Sequence, residues 1–449
     1  MDKTSKIDIL HGPILKKMII FALPLALGSV FQQLFNMVDS AVVGQFASSE
    51  ALAAVGANAS VVNFFVNFFV GISLGSSVLI ANYIGSGNEK NLSKCVHTSM
   101  ALAIICGVFL AVFVQFVAQP LLILMGTPDD IMNLAIIYLR IYALGMPFIL
   151  LYNFGAAILR SIGDSKHPFY ALIFGGIINA GLNLIFVIVF RMSVAGVAIA
   201  TAISNVISAI IVIYYLMHEN EAIRFSFKAL TISKYELIRI LKIGIPAGLQ
   251  GTIASISNIV IQSCLNSFGS SVVAGSSAAV NFEYVGYCMI TGFAQSATTF
   301  IGQNYGAGQL NRCYKILRLA LATGIGLAFV TDMIIVLFRN PLTLLFTTDM
   351  KVIPYATQRI LQIMSVHWLI GTYDITSSAL RGYGKSFVPA FLVISGTCVL
   401  RLIWVYVVNH FYHTYTMLLL VYPISWILTG MLVFGYYFIV KKQLNLSEK

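Results

Sequence analysis

Asp39 is an acid in a stretch otherwise fit for hydrocarbon. It lies toward the far end of the first apolar run, residues 17–43. An ionised carboxylate at that depth is expensive unless it is paired, hydrated or protonated. Burial favours its protonated form and a bound cation favours the charged one. Such a group can trade a proton or a metal ion for something else. Gln32, Phe35 and Asn36 precede it on the same helical face, where they could line a substrate cavity. Asn179 and Asn183 are spaced i,i+4 on one face of a later run, and Asn153 and Thr201 in the flanking runs could join them. One carboxylate with neutral oxygens can hold Na⁺ or a proton. Interhelical hydrogen bonding is the alternative role for membrane asparagines.

The second half offers a different set. Glu283 with Tyr287 one turn later could attract and stack on a cation. Asn258 belongs to a polar stripe with Gly251, Ser255 and Gln262 that could line the same cavity. Asp374 lies seven residues before Arg381 and could be merely hydrated or a structural partner of the nearby loop. Arg401 sits well inside a span. An unpaired intramembrane arginine is costly, and Glu283 lies at similar depth, so an ion pair between Glu283 and Arg401 is expected.

The elements that hold these residues are membrane helices. Of 449 residues, 59% are hydrophobic and 10% charged, and mean hydropathy is +0.89. A soluble domain carries roughly 25% charged residues. Apolar runs of membrane-spanning length recur at 17–43, 52–82, 96–118, 133–157, 168–190, 194–217, 238–266, 274–300, 314–338, 354–379, 387–408 and 416–440. They are too long for barrel strands, so the fold class is all-α: a polytopic protein of twelve transmembrane helices. The first run lacks the small-residue cleavage pattern of a leader and reads as an anchor.

Net charge is +11. Of the 27 Lys and Arg, 21 (Lys3 and Lys449 among them) fall in loops on one side, three on the other and three inside spans. That asymmetry places both termini in the cytoplasm of a cell with the chain in its plasma or inner membrane. The basic residues are scattered through short loops, which argues against nucleic-acid binding. Six cysteines show no CxxC pairing and seven histidines no HExxH cluster, so neither a disulfide nor a metal centre of that kind is expected. Without a Walker A motif or a catalytic cluster, no enzyme activity and no cofactor are expected.

The chain also repeats itself. Gly85 and Gly87 recur as Gly306 and Gly308, Pro120-Leu121 as Pro341-Leu342, and LRSIGDSKHP at 159–168 as LRGYGKSFVP at 380–389, all shifted by 221. Pro24, Asn36 and Phe46 recur as Pro246, Asn258 and Phe268 with a shift of 222. Six spans separate equivalent points, so the halves face the same way, related by a pseudo-twofold axis along the membrane normal. The expected domains are an N-terminal lobe, 1–217, a cytoplasmic linker, 218–237, and a C-terminal lobe, 238–449. Two similar bundles rocking about a shared site suit a transporter better than a channel.

FQQLFNMVDSAVVGQF after Pro24, the paired GSGN and FIGQNYGAG stretches, and the two LR…G…S…P loops together resemble the multidrug and toxic compound extrusion (MATE) family. The resemblance covers nearly the whole chain. It implies two six-helix lobes and a secondary antiporter that exports small organic cations in exchange for H⁺ or Na⁺ by alternating access. It is closer to the DinF-like branch, in which the acid of the first span meets polar residues of spans four to six; this implies that Asp39 meets Asn179 and Asn183 in a candidate Na⁺ site, with Asn153 and Thr201 nearby. That branch typically has a second Asp where Asn183 stands. The NorM-like branch carries acids where this chain has Ala254 and Ile370, so its second-lobe sodium site is not carried over. A bacterial protein, working as a monomer in the lipid bilayer, is expected. The alternative is a flippase for lipids or lipid-linked oligosaccharides, which would need several cavity cations; the acids Asp39, Glu283 and Asp374 weigh against it.

Overall fold

The computed structural model describes residues 6–347 and 349–447; Lys3 and Lys449, counted above, lie outside them. Long helices come first: α1 Ile14–Phe46, α2 Ser49–Ser86, α3 Glu89–Leu124, α4 Asp129–Leu144, α5 Met146–Ser161, α6 Lys166–Leu184 and α7 Ser193–Met217. After a loop come α8 Lys234–Asn266, α9 Ser270–Gly306 and α10 Leu310–Leu337. The remainder is more broken: α11 Arg339–Leu344, α12 Ile353–Arg359, α13 Ile370–Gly382, α14 Phe387–Ile394, α15 Leu400–Ile403, α16 Asn409–Phe411 and α17 Tyr415–Ser447.

Among the described residues nine helical segments are long and apolar enough to cross a bilayer, and ten when α4 and α5, bent by 47°, count as one. Two more reach membrane length without meeting that standard. Helix α9 has 37 residues, ample at about 1.5 Å per residue, but carries many polar side chains. Residues 353–382 run through α12, a π-turn at Ile360–Met364, a 3₁₀ turn at His367–Leu369 and α13. The sum is the twelve-helix, all-α fold of a multi-pass membrane protein.

The repeated loop glycines have a backbone reason. Gly87 closes α2 at φ +66°, donating its N–H to Ile84 O, and Gly308 after α9 sits at φ +72°. Gly163 and Gly384 are likewise at +89° and +76°. Each is the left-handed conformation that ends a helix, where a Cβ is penalised. The repeat extends to side chains. Ser77 Oγ of α2 lies 2.9 Å from Ser161 Oγ of α5. Its counterpart Thr298 of α9 donates to Ser378 O of α13 at 2.9 Å. Small hydroxyl residues of this kind let helix backbones approach and supply the hydrogen bond that lipid cannot.

The chain forms two compact units. One contains residues up to Asp8 with Leu27–Gly248, the other Ile9–Ala26 with Leu249–Lys449. These differ from the expected lobe boundaries at 217 and 238. The loop 218–233 and the first part of α8 group with the first unit because they pack there. Ser226 N donates to His97 Nε2 at 3.3 Å and Ser233 N to Thr98 Oγ1 at 3.0 Å. The Tyr83 hydroxyl donates to the buried Glu236 carboxylate at 2.8 Å. Backbones touch where α2 meets α8: a Cβ on Gly71 would lie 2.1 Å from Gly248 N. In the second unit Phe21 of α1 packs on Phe300, ring centroids 5.5 Å apart. A Cβ on Gly292 would meet Ala22 O at 2.9 Å. In both α1 and α8 the change of unit falls just past a helix-interior proline, Pro24 or Pro246.

The first unit has two apolar clusters, around Phe154, Leu150 and Met100 and around Val43, Leu139 and Val197. In the second, Ala279, Ile335, Ile360 and Met364 pack together.

Candidate functional site

In the first unit, α1 presents Asp39 to α6. Asp39 is half-buried, while Asn179 and Asn183 are 5% and 0% exposed. Asn183 Nδ2 donates to Asp39 Oδ1. Asn179 has the amide orientation that satisfies its neighbours when Nδ2 donates to Asp39 Oδ1 at 2.7 Å and Oδ1 accepts from Thr201 N and Oγ1 at 3.3 Å. Four of the five residues expected to share this site therefore form one hydrogen-bonded cluster. Asn153 does not join it; its Nδ2 donates back to Ile149 O at 2.8 Å, a bond within its own helix.

Two features of the cluster bear on its chemistry. Asn183 Oδ1 is buried and accepts no hydrogen bond among the described residues. A buried acceptor left open is costly, and a proton or a hard cation would satisfy it. The helix also changes pitch directly after Asn183, with a π-turn over Ile185–Val189. Such turns recur at functional sites because the extra residue re-aims the side chains beside it. Tyr138 and Tyr142 of α4 lie near enough to Asp39 to feel its charge. Sequence reading missed them; their i,i+4 spacing on one face was the available signal.

Of the residues expected to line a cavity in the first unit, Phe35 stacks with Phe31 (centroids 6.3 Å) and packs closely over Gly176. Gln32 and Asn36 are exposed on α1, and Asn36 O accepts from Ser40 Oγ at 3.0 Å. None of the three lines the cavity inside the second unit. That cavity has a volume of about 390 Å³, and Asn258, Glu283 and Tyr287 are on its wall with Asp374, Arg359 and Arg401.

The expected Glu283–Arg401 pair is not formed. Glu283 is held by Arg359 instead: Nε donates to Oε1 at 2.6 Å and Nη2 to Oε2 at 3.1 Å, while Nη1 donates to Ser276 Oγ at 2.7 Å. Depth alone suggested Arg401. Arg359 falls near the start of the expected span 354–379, yet α12 starts at Ile353 and carries Arg359 nearly two turns in, 4% exposed. Its planar fork matches a carboxylate bidentately. Arg401 donates from Nε to Ser425 Oγ and from Nη1 to Asn258 Oδ1, both at 3.3 Å. Behind this wall His367 Nδ1 lies 3.3 Å from Asp332 Oδ2. Asp374 interacts electrostatically with Arg381, two turns on along α13.

The MatE family profile matches residues 24–185 and again 246–407, two copies that together take in most of the chain. The chain belongs to the MatE family. Its two matched segments carry the two sites just described, Asp39 with Asn179 and Asn183 in the first, and Glu283, Arg359 and Arg401 in the second. Among MatE relatives, the probable multidrug resistance protein YoeA of Bacillus subtilis is 28% identical over 446 residues, covering 96% of this chain and 95% of its own. The FAD transporter of Shewanella oneidensis is 26% identical over 381 residues, covering 84% of each chain. A multidrug resistance MATE family transporter of the MOP superfamily, solved in an outward-facing conformation, superposes with a TM-score of 0.90 at 24% identity. The match covers 99% of this chain and 100% of that one. That likeness shows the fold.

Proposed function

We propose that this MatE protein exports small organic compounds, organic cations among them, across the plasma or inner membrane of a bacterium in exchange for H⁺ or Na⁺. Asp39 is the group that takes the coupling ion. The observation that carries this reading is the cluster in which a half-buried carboxylate meets two buried amides, one of them with an open oxygen. Asp39, Asn179 and Asn183 would hold Na⁺ or a proton, with the Thr201 hydroxyl orienting Asn179. The single carboxylate supports one cation per cycle. Its position among residues of α6 and α7 supports the DinF-like branch, with Asn183 in place of a second acid.

Exchange follows from competition between states. Substrate and coupling ion each favour a conformation, and alternating access converts that preference into transport. The two repeated halves, proposed to act as lobes, would supply the moving bodies. The charge pattern of the loops supports cytoplasmic termini, and the chain would work as a monomer without a cofactor. Relatives such as YoeA, a probable multidrug resistance protein, support export of organic compounds over lipid flipping. A relative that carries FAD, itself an anion, indicates that the substrate need not be a cation.

The test is accumulation of a fluorescent organic cation in proteoliposomes of the full chain, with a proton gradient and a sodium gradient imposed separately. Wild type should accumulate the dye under one gradient, and Asp39→Asn should reduce that uptake at least tenfold with equal protein in the membrane. Uptake by Asp39→Asn equal to wild type would overturn the assignment.

A further inference from the structure

The cavity of the second unit carries an arginine, Arg401, that no carboxylate contacts among the described residues. Arg359 is neutralised by its two bonds to Glu283, and Asp374 interacts electrostatically with Arg381. Arg401 is 8% exposed and has no carboxylate in ion-pair contact among the described residues. Its two hydrogen bonds go to neutral oxygens, and its Nη2 has no hydrogen-bond partner among the described residues. Both guanidinium groups lie over the same ring, Tyr422, at 4.8 Å for Arg401 and 5.3 Å for Arg359. An intramembrane arginine that faces a cavity without a partner marks a functional position.

A second observation points to the same place. Trp426 Nε1 is a buried donor without an acceptor among the described residues; its side chain lines the cavity and its ring lies 5.8 Å from Tyr422. The cavity wall therefore offers an arginine fork and a spare N–H, among the aromatic rings of Tyr287, Tyr373 and Tyr422.

The repeat gives this arrangement an origin. At the 222-residue shift of the first helices, Asp39 corresponds to Ile261, which lines the cavity. At the 221-residue shift, Tyr138 corresponds to Arg359, and Ala180, next to Asn179, to Arg401. The acid of the first half thus gives way to an apolar residue in the second, and arginines stand where the first half has a tyrosine and an alanine. The second half has thus gained arginines beside the stretch where the first half carries its acid.

We propose that the second-unit cavity is an anion subsite for aromatic organic carboxylates. The substrate carboxylate lies on the free edge of Arg401, accepts a hydrogen bond from Trp426 Nε1, and its ring packs against the tyrosines. A cavity of about 390 Å³ is the size of small-molecule sites, and a planar carboxylate suits a guanidinium fork better than a point charge does. Amphiphilic acids and zwitterions therefore join the substrates of this exporter. The inference rests on the export reading for its biological meaning only, because binding is measured without transport.

The test uses the purified full chain in nanodiscs and equilibrium binding of 1-naphthoate, with its methyl ester as the uncharged match. Wild type should bind the carboxylate at least tenfold more tightly than the ester. Arg401→Gln should lose that preference while keeping the ester affinity, which shows that the cavity is intact. Arg401→Lys, which keeps the charge without the fork, should retain part of it. Trp426→Phe, which removes one N–H at nearly constant shape, should weaken carboxylate binding about threefold to tenfold and leave the ester unchanged. Equal affinity for acid and ester in wild type would overturn the proposal. So would an undiminished preference in Arg401→Gln or, if that variant does not fold, in Trp426→Phe.

Discussion

The Asp39 cluster and the Arg401 cavity occupy corresponding stretches of the two halves, yet they solve opposite electrostatic problems. In the first unit a carboxylate is surrounded by amide groups, with an amide oxygen left open. In the second a guanidinium is surrounded by neutral oxygens, with an indole N–H left open. Within each unit a small hydroxyl residue at the same repeat position joins two helices, Ser77 to Ser161 in the first and Thr298 to the Ser378 carbonyl in the second. The lesson is that a duplicated scaffold constrains glycines, prolines and small hydroxyl residues, whereas the charge of its polar pockets is free to diverge. Coupling to a cation and recognition of a substrate group can then be assigned to separate halves.

The largest effect is expected at Arg359. Arg359→Gln leaves Glu283 buried without a counter-charge and should destabilise the protein by about 3–5 kcal/mol, seen as a lower thermal midpoint in detergent. Arg359→Met combined with Glu283→Leu should recover most of that loss, because apolar residues of similar volume replace a buried pair at little cost. A single variant as stable as wild type would show that Glu283 is compensated elsewhere.

Asn183→Asp sharpens the comparison by adding a second acid to the first unit. Wild type, exchanging one cation for a monovalent cationic dye, should be electroneutral. The variant should admit a second cation, and each extra charge is worth about 2.3 kcal/mol per 100 mV, or roughly fiftyfold in accumulation. Dye accumulation measured against an imposed potential separates the two; equal slopes would contradict the one-carboxylate reading.

The smallest effect tests the scaffold that both halves share. Gly87→Ala and Gly308→Ala each place a Cβ at positive φ where no other atom lies within 4 Å. Only backbone strain remains, so each should cost roughly 1–2 kcal/mol, and by the same amount. Clearly unequal losses in thermal midpoint would mean that the two loops are not equivalent.

Much of the fold was legible because lipid imposes simple rules. Run length and the shifts of 221 between Gly87 and Gly308 and of 222 between Pro24 and Pro246 read directly from the sequence. The shared face of Asn179 and Asn183 was also readable from their i,i+4 spacing, while their meeting with Asp39 was implied by the family resemblance. The partner of Glu283 was not, because depth along a helix says nothing about azimuth. Arg359 is followed by a π-turn and Arg401 lies between two, at Ser395–Val399 and Trp404–Val408. Each π-turn rotates the downstream side chains away from the face that a regular helix predicts. The repeat held a signal, since Arg359 stands where Tyr138 does in the first half. Asn153 misled for a different reason: an amide on a membrane helix can satisfy itself on the carbonyl one turn back. Unit boundaries were hidden because Gly71, Gly75, Gly244 and Gly248 give no sign in sequence of which backbone they will touch.

The central claim is that substrate and a single cation held by Asp39 compete. It is tested most directly by counting the cations released when an organic cation binds the purified protein. Protons are followed with a pH indicator in weak buffer and sodium with an ion-selective electrode. Wild type should release about one H⁺ or one Na⁺ per substrate bound, and Asp39→Asn should release none while still binding substrate. Equal release from both proteins would contradict the role of Asp39 and move the coupling site elsewhere in the chain.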